Sequence, residues 1–255
     1  MKPLSIHLQS IHSLSTKSLS MKPRLLKKGL MNIGRWSILS ISLLCAGMSQ
    51  AESLDVMIEQ YNQVALGQAD NIDDVHTQFE QLITEQGASP IALIYLGSTQ
   101  TLKAGETWLP WKAMRLVEEG VAKIEKGLSL QAASLVPLTQ QRVLSGIPES
   151  FLAQAIAAST LTSLPEMFHQ FEPGFELYLS LLALPEFEQA PYEATAWIYH
   201  RAVEAAIRAG DRVQANQWLA VMRAHNSEHP LTQQTQALIE QQQAQALIEQ
   251  QQEAA

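Results

Sequence analysis

From Leu54 to Ala224, apolar side chains recur every three or four residues in short stretches closed by glycine or proline. A period of about 3.6 residues puts such positions on one face of an α-helix, and only another packed element can cover that face. Leu54, Met57, Ile58, Tyr61 and Val64 form the first stripe. Ser53 reads as its N-cap, Asp55 lies in its first turn and Gly67 ends it. Val75, Phe79, Leu82 and Ile83 form a second stripe, stopped by Gly87. Ser89-Pro90 opens a third helix, with proline at the first helical position and Ile91, Ile94, Tyr95, Ser98 and Leu102 on one face.

After a break over residues 105–111, Met114, Val117, Val121, Ile124 and Leu128 predict a long helix over 111–130. Pro137, Gly146, Pro148, Pro165, Pro173-Gly174, Pro185 and Pro191 then punctuate the chain and delimit short helices, because each proline disfavours a helical residue before it. Residues 151–163 read as one such helix, with Phe151, Leu152, Ala155, Ile156 and Ser159 on one face. Residues 192–209 and 213–224 give two more. No stretch alternates apolar and polar residues long enough to predict a strand. The expected fold class is therefore all-α, with about ten helices joined by short connections into antiparallel pairs.

Charge divides the chain sharply. Residues 1–51 hold seven Lys and Arg and no acidic residue, leaving ten basic residues against all 25 Asp and Glu, a net charge of −15, in the remainder. The basic part has the order of an export signal: Lys22, Arg24, Lys27 and Lys28, then the apolar run at residues 36–44, then Ser49-Gln50-Ala51. Cleavage is expected before Glu52, with Met1 or Met21 as the start, and the mature domain is expected in the periplasm. Three other readings stay open. The apolar run could act as a membrane anchor, although it is shorter than the ~20 residues that span a bilayer. Cys45 closes that run and could carry a lipid, although Leu43-Leu44 precede it where a small residue is usual. Residues 1–20 are Ser-rich and free of acid, like a mitochondrial presequence.

Cys45 is the only cysteine, so the domain after Ala51 has no disulfide, thiolate metal site or cysteine nucleophile. Its acidic balance makes nucleic acid an unexpected partner, since phosphate contact needs clustered Lys and Arg. The expected organisation is a targeting segment at 1–51, a helical domain at 52–239 and a Gln-rich tail at 240–255. In that tail, Gln236-Ala-Leu-Ile-Glu-Gln-Gln-Gln recurs from Gln245, nine residues on. Nine residues advance a helix by about two and a half turns, so Leu238-Ile239 and Leu247-Ile248 face opposite sides and cannot sustain a coiled-coil seam. The expectation is a duplication that extends a final helix and frays.

Two segments resemble tetratricopeptide repeats. Tyr199, the Gly210-Asp211 turn, Ala215, Leu219 and Pro230 follow the family's pattern, whereas Ala202-Val203 stand where it has Leu-Gly and Ala206 where it has tyrosine. Leu96-Gly97 and Gly120-x3-Ile124-x2-Gly127 repeat it over residues 92–130, with about eleven extra residues between Gly97 and Gly120. The resemblance implies a TPR-like helical-hairpin array, either a short α-solenoid or an irregular bundle. It also implies an adaptor that holds a protein or peptide partner in the cell envelope.

The extra residues carry Trp108, Leu109, Pro110 and Trp111, followed by Lys112 and Arg115. Tryptophan and arginine are enriched where binding energy concentrates, so Trp108, Trp111, Lys112 and Arg115 are the candidate partner-binding residues. The competing packing reading has both indoles fill the hole between the two long helices.

Catalytic motifs are absent: the sequence has no G-x-S-x-G, no Walker loop and no G-x-G-x-x-G. His225-Asn-Ser-Glu228-His229 spells a zinc-peptidase pattern, but it falls at a helix end beside Pro230, so no metal is expected. His76, His169 and His200 stand alone, and Glu118, Glu119, Glu186 and Glu188 read as solvated carboxylates. Phe168, Phe171, Phe175 and Phe187 read as core. The expected function is non-enzymatic and needs no cofactor. Two rivals are a ligand-binding accessory subunit of an envelope transport complex, with a tunnel lined by the tryptophans and phenylalanines, and a hydrolase with an unrecognised site.

Overall fold

A computed structural model of the chain describes residues 45–253, and ten α-helices account for most of them. Residues 1–44, most of the segment expected to serve in targeting, lie outside the described residues. The helices are α1 (Cys45–Ala65), α2 (Ile72–Gln86), α3 (Pro90–Glu106), α4 (Pro110–Ala132), α5 (Glu149–Ser163), α6 (Phe171–Leu182), α7 (Pro185–Glu188), α8 (Tyr192–Arg208), α9 (Arg212–Asn226) and α10 (Pro230–Glu253). Sequential neighbours pack together: α3 lies between α2 and α4, α5 packs on α6, and α8 packs on α9. Helix α5 also packs against α3, and α10 closes the far end against α8 and α9. None of the described helices is long and apolar enough to cross a membrane.

The stops act where glycine supplies a left-handed backbone. Gly67, Gly87 and Gly210 have φ values of 67°, 86° and 75°, a region closed to most side chains. Beyond Gly210, Asp211 caps α9 by accepting the Gln214 N–H at 2.9 Å. The Ser89 hydroxyl caps α3 in the same way by accepting the Ala92 N–H at 3.3 Å.

Small residues set how closely helices approach. A Cβ on Gly120 would lie 2.6 Å from the Gly97 carbonyl oxygen, and one on Gly127 would lie 2.7 Å from Ile94 Cγ1. Helices α3 and α4 therefore meet backbone to backbone along the small-residue positions. Gly174 does the same for α6, where a Cβ would stand 2.8 Å from the Thr162 amide nitrogen of α5.

Several sequence expectations are corrected. Helix α1 runs through Ser53 rather than starting at it, so Ser53 is not its N-cap and the expected cleavage point lies within a helix. Pro173-Gly174 do not end a helix. Proline sits in the first turn of α6, where its missing N–H costs nothing, and Gly174 is buried at the crossing with α5. A short hairpin also forms, pairing Val143–Leu144 (β1) with Ile147–Pro148 (β2). Ser145 and Gly146 both have positive φ in its two-residue turn, the geometry that matches strand twist. Leu144 and Ile147 are its buried residues, so a single residue per strand anchors it, too few for alternation to show.

Helices α3 and α5 carry apolar or small residues all round. Ile91 to Leu96 are buried except Leu93, and Phe151 to Ala158 are buried except Gln154. Each is central, covered on most sides, where a single buried face was expected. The Tyr95 ring stacks on Phe79 at 5.2 Å and meets the edge of Tyr61 at 4.9 Å, joining α1, α2 and α3. Phe187 joins Phe151 and Tyr199 in a second aromatic cluster. In α10, Thr232, Thr235 and Ile239 face the core, whereas residues 240–245 and Ile248 are exposed. The helix thus continues through both copies of the duplication, with Ile239 of the first copy buried and Ile248, its counterpart in the second, exposed.

Candidate partner-binding surface

The extra length between Gly97 and Gly120 lengthens two helices instead of making a loop. Helix α3 continues to Glu106 and α4 begins at Pro110, so the turn itself is Thr107-Trp108-Leu109. Pro110 starts α4 with its φ already set, and the Lys112 and Ala113 amides donate to the Leu109 carbonyl at 3.0 and 2.9 Å. On the other side, Lys103 near the end of α3 pairs with Asp73 of α2 at 2.7 Å. That hydrogen bond holds the Asp73 carboxyl below its ordinary value. The tip is therefore held on packed helices.

Trp108 is 86% exposed and Trp111 71%, with Met114 exposed one turn along α4. Lys112 and Arg115 are exposed beside them, and Arg115 reaches only Glu119, at 3.8 Å. Indoles this exposed do not fill space between the two long helices, which meet at Gly97 and Gly120 instead. Large indoles are highly buried in most folded chains, so two solvated ones on a rigid tip are informative where a single exposed leucine is not.

The phenylalanines pack away from the tryptophans' solvated tip. Phe171 stacks on Phe175, Phe175 meets the edge of Trp218, and Phe187 is fully buried. The histidines also have structural roles. The His225 ring stacks on Tyr192 at 5.1 Å and His229 meets the same ring edge-on at 5.2 Å. His229 Nδ1 accepts the Leu231 N–H, and its Nε2 faces Glu193 at 3.3 Å. Among the described residues, no three His, Cys, Asp or Glu side chains are placed to hold a metal ion.

His76 and His200 share one arrangement. His76 Nδ1 hydrogen-bonds with Thr99 Oγ1 at 2.9 Å, Thr99 Oγ1 also meets the Leu96 carbonyl, and Nε2 faces Glu80 at 3.4 Å. His200 Nδ1 likewise hydrogen-bonds with Thr235 Oγ1 at 2.7 Å, Thr235 Oγ1 also meets the Leu231 carbonyl, and Nε2 faces Glu204 at 3.5 Å. Desolvation pushes both imidazoles below their ordinary value despite those carboxylates.

Two cavities draw on residues that no local motif marks. One of about 830 Å³ lies between the end of α4, the segment around Pro137 and the start of α5. The other, about 380 Å³, has a mixed polar and apolar lining and lies among α1, α3, α5, α6 and α8. Its residues are separated by up to 147 positions, from Tyr61 to Arg208, so only folding brings them together. No family model, curated protein or solved structure matches the chain.

Proposed function

We propose that this chain is an exported, non-enzymatic TPR-like adaptor that holds a protein or peptide partner in the cell envelope through the α3–α4 tip. The observation that carries this reading is the pair of solvated indoles, Trp108 and Trp111, at a three-residue turn between tightly packed helices. Rigid aromatic side chains gain contact area on binding at little entropic cost, and a packed support keeps them in place. Lys112 and Arg115 at the rim suit a partner that offers an apolar pocket edged with acidic groups. The sequential pairing of α3 with α4, α5 with α6 and α8 with α9, with glycine at the α3–α4 crossing, supports a helical-hairpin array. Export is supported by the charge asymmetry and by Ser49-Gln50-Ala51.

The test is affinity capture from an envelope fraction with the full chain and with the Trp108→Ala/Trp111→Ala double variant. A partner retained by the parent and lost by a folded double variant supports the reading. Equal capture by both overturns the assignment of the tip. Mass spectrometry of the chain's N-terminus in the envelope fraction tests export separately: a start at Glu52 is expected, and an intact start on cytosolic protein refutes it.

A further inference from the structure

The cavity of about 830 Å³ lies at the opposite end of the α3–α4 hairpin from the tryptophans, where Pro90 opens α3 and Ala132 ends α4. Its size falls within the range of small-molecule sites. Much of its wall is apolar: Leu128 from α4, Leu177 from α6, and Val136, Pro137 and Leu138 from the segment between α4 and β1. The same segment exposes Leu135, at 95%, between two residues of the wall. Contiguous apolar surface left open in this way marks a binding place more often than scattered apolar residues do.

Charge is cancelled on this wall. Arg142 and Glu149 are its ionised side chains, and they meet each other at 2.8 Å. A charged ligand would exchange water for an apolar wall whose ions are already paired, at a net cost.

The wall's amides are largely committed as well. Gln141 donates to the Val136 carbonyl at 3.2 Å and accepts the Ser150 N–H at 3.1 Å. Gln131 donates to the Ser150 carbonyl at 3.2 Å. Gln154 donates to the Leu177 carbonyl at 3.0 Å and to Ser180 Oγ at 2.8 Å, and Ser180 in turn donates to the Leu177 carbonyl. Both amide hydrogens of Gln154 are thereby used, which fixes which way the amide is turned. Its Oε1 accepts no hydrogen bond among the described residues and, unlike the Gln131 Oε1, is not sealed from solvent. An extended peptide would bring a donor and an acceptor with nearly every residue, more than this wall can pair. A compact apolar body with one donor matches it.

We propose that this cavity binds an uncharged, largely apolar small molecule, its body against Leu128, Leu138 and Leu177 and a single N–H or O–H donated to Gln154 Oε1. The site shares no residue with the α3–α4 tip, and neither reading rests on the other.

The experiment is fluorescence titration of the full chain with N-phenylnaphthylamine, an uncharged apolar probe with one N–H. Its N-methyl derivative removes the donor, and anilinonaphthalenesulfonate adds a charge to the same rings. Saturable one-to-one binding of the uncharged probe is expected, weakened about fivefold by N-methylation and about tenfold or more by the sulfonate. In Gln154→Leu the preference for the N–H probe should vanish, whereas mere loosening of α5 against α6 would weaken both uncharged probes alike and keep it. Ala132→Trp and Val136→Trp each put a large side chain at an exposed position of the wall, so each should abolish binding without loss of thermal stability. The Trp108→Ala/Trp111→Ala double variant should bind the probe as the parent does. No saturable binding at micromolar probe overturns the proposal. So does a sulfonate that binds as tightly as the uncharged probe, or a donor preference that survives in Gln154→Leu. Undiminished binding by folded Ala132→Trp and Val136→Trp, or loss of binding in the tip variant, overturns it too.

Discussion

The carbonyl oxygen of Gly97 lies so close to the α-carbon of Gly120 that a methyl group there would approach it to 2.6 Å. That contact joins the middle of α3 to the middle of α4 and supports the hairpin bearing both exposed tryptophans. Gly120→Ala must push the two backbones apart, since neither partner is the end of a flexible side chain. The expected loss is about 1–3 kcal/mol of folding stability, read from the urea midpoint, despite alanine's better helix propensity. A midpoint equal to or above the parent's would show that the crossing relaxes freely.

Trp108→Ala and Trp111→Ala remove side chains that are mostly in water, so each should change stability by no more than about 0.5 kcal/mol. A cavity plug of that size would cost about 3–5 kcal/mol. Partner binding should fall by about 2 kcal/mol per indole. Lys112→Ala and Arg115→Ala should leave stability unchanged and weaken binding mainly at low salt, because their contribution is screened. Paired urea titrations and binding isotherms separate these outcomes.

Acid should destabilise the fold through His76 and His200. Each takes up a proton less readily in the folded chain than in the unfolded one, where histidine titrates near 6.5. Their contribution is complete above that pH and is lost as pH falls through the depressed folded values. His200 faces Thr235 from α10 and Glu204 and Arg201 from its own helix; His76 faces Thr99, Lys103 and Lys123 from α3 and α4 and Asp73 and Glu80 from its own. Glu204 and Glu80 oppose the shift, and desolvation outweighs them. The thermal midpoint should therefore decline on acidification through this range, and less steeply in His200→Gln. An equal slope in both proteins would remove His200 from the account.

The final helix should tolerate shortening at one place and not at another. A stop after Gln243 removes residues 244–255, the second copy of the duplication among them, beyond Ile239, the last buried residue among those described, and should leave the urea midpoint unchanged. A stop after His229 removes Thr232, Thr235 and Ile239, taking away partners of Tyr192 and His200. That loss should lower the midpoint clearly, because the His200 ring and the α8–α9 face then lose their cover.

Helix positions were legible because their signals are local: an apolar period and a stop lie within one or two turns. The approach of α3 to α4 was partly legible too, since Gly97, Gly120 and Gly127 stand at spacings that face one another when two helices pair. The nine-residue period already separated Ile239 from Ile248, and they lie on packed and solvated parts of α10. Tertiary structure decided the rest. Whether Pro173-Gly174 stops a helix depends on Gly174 meeting α5, and whether an indole plugs a gap depends on a gap being there. The cavity walled by Leu128, Gln154 and Leu177 left no mark in the sequence, because its walls come from helices far apart in the chain. A residue's neighbours along the chain set its backbone, but only the crossing of helices sets what its side chain meets.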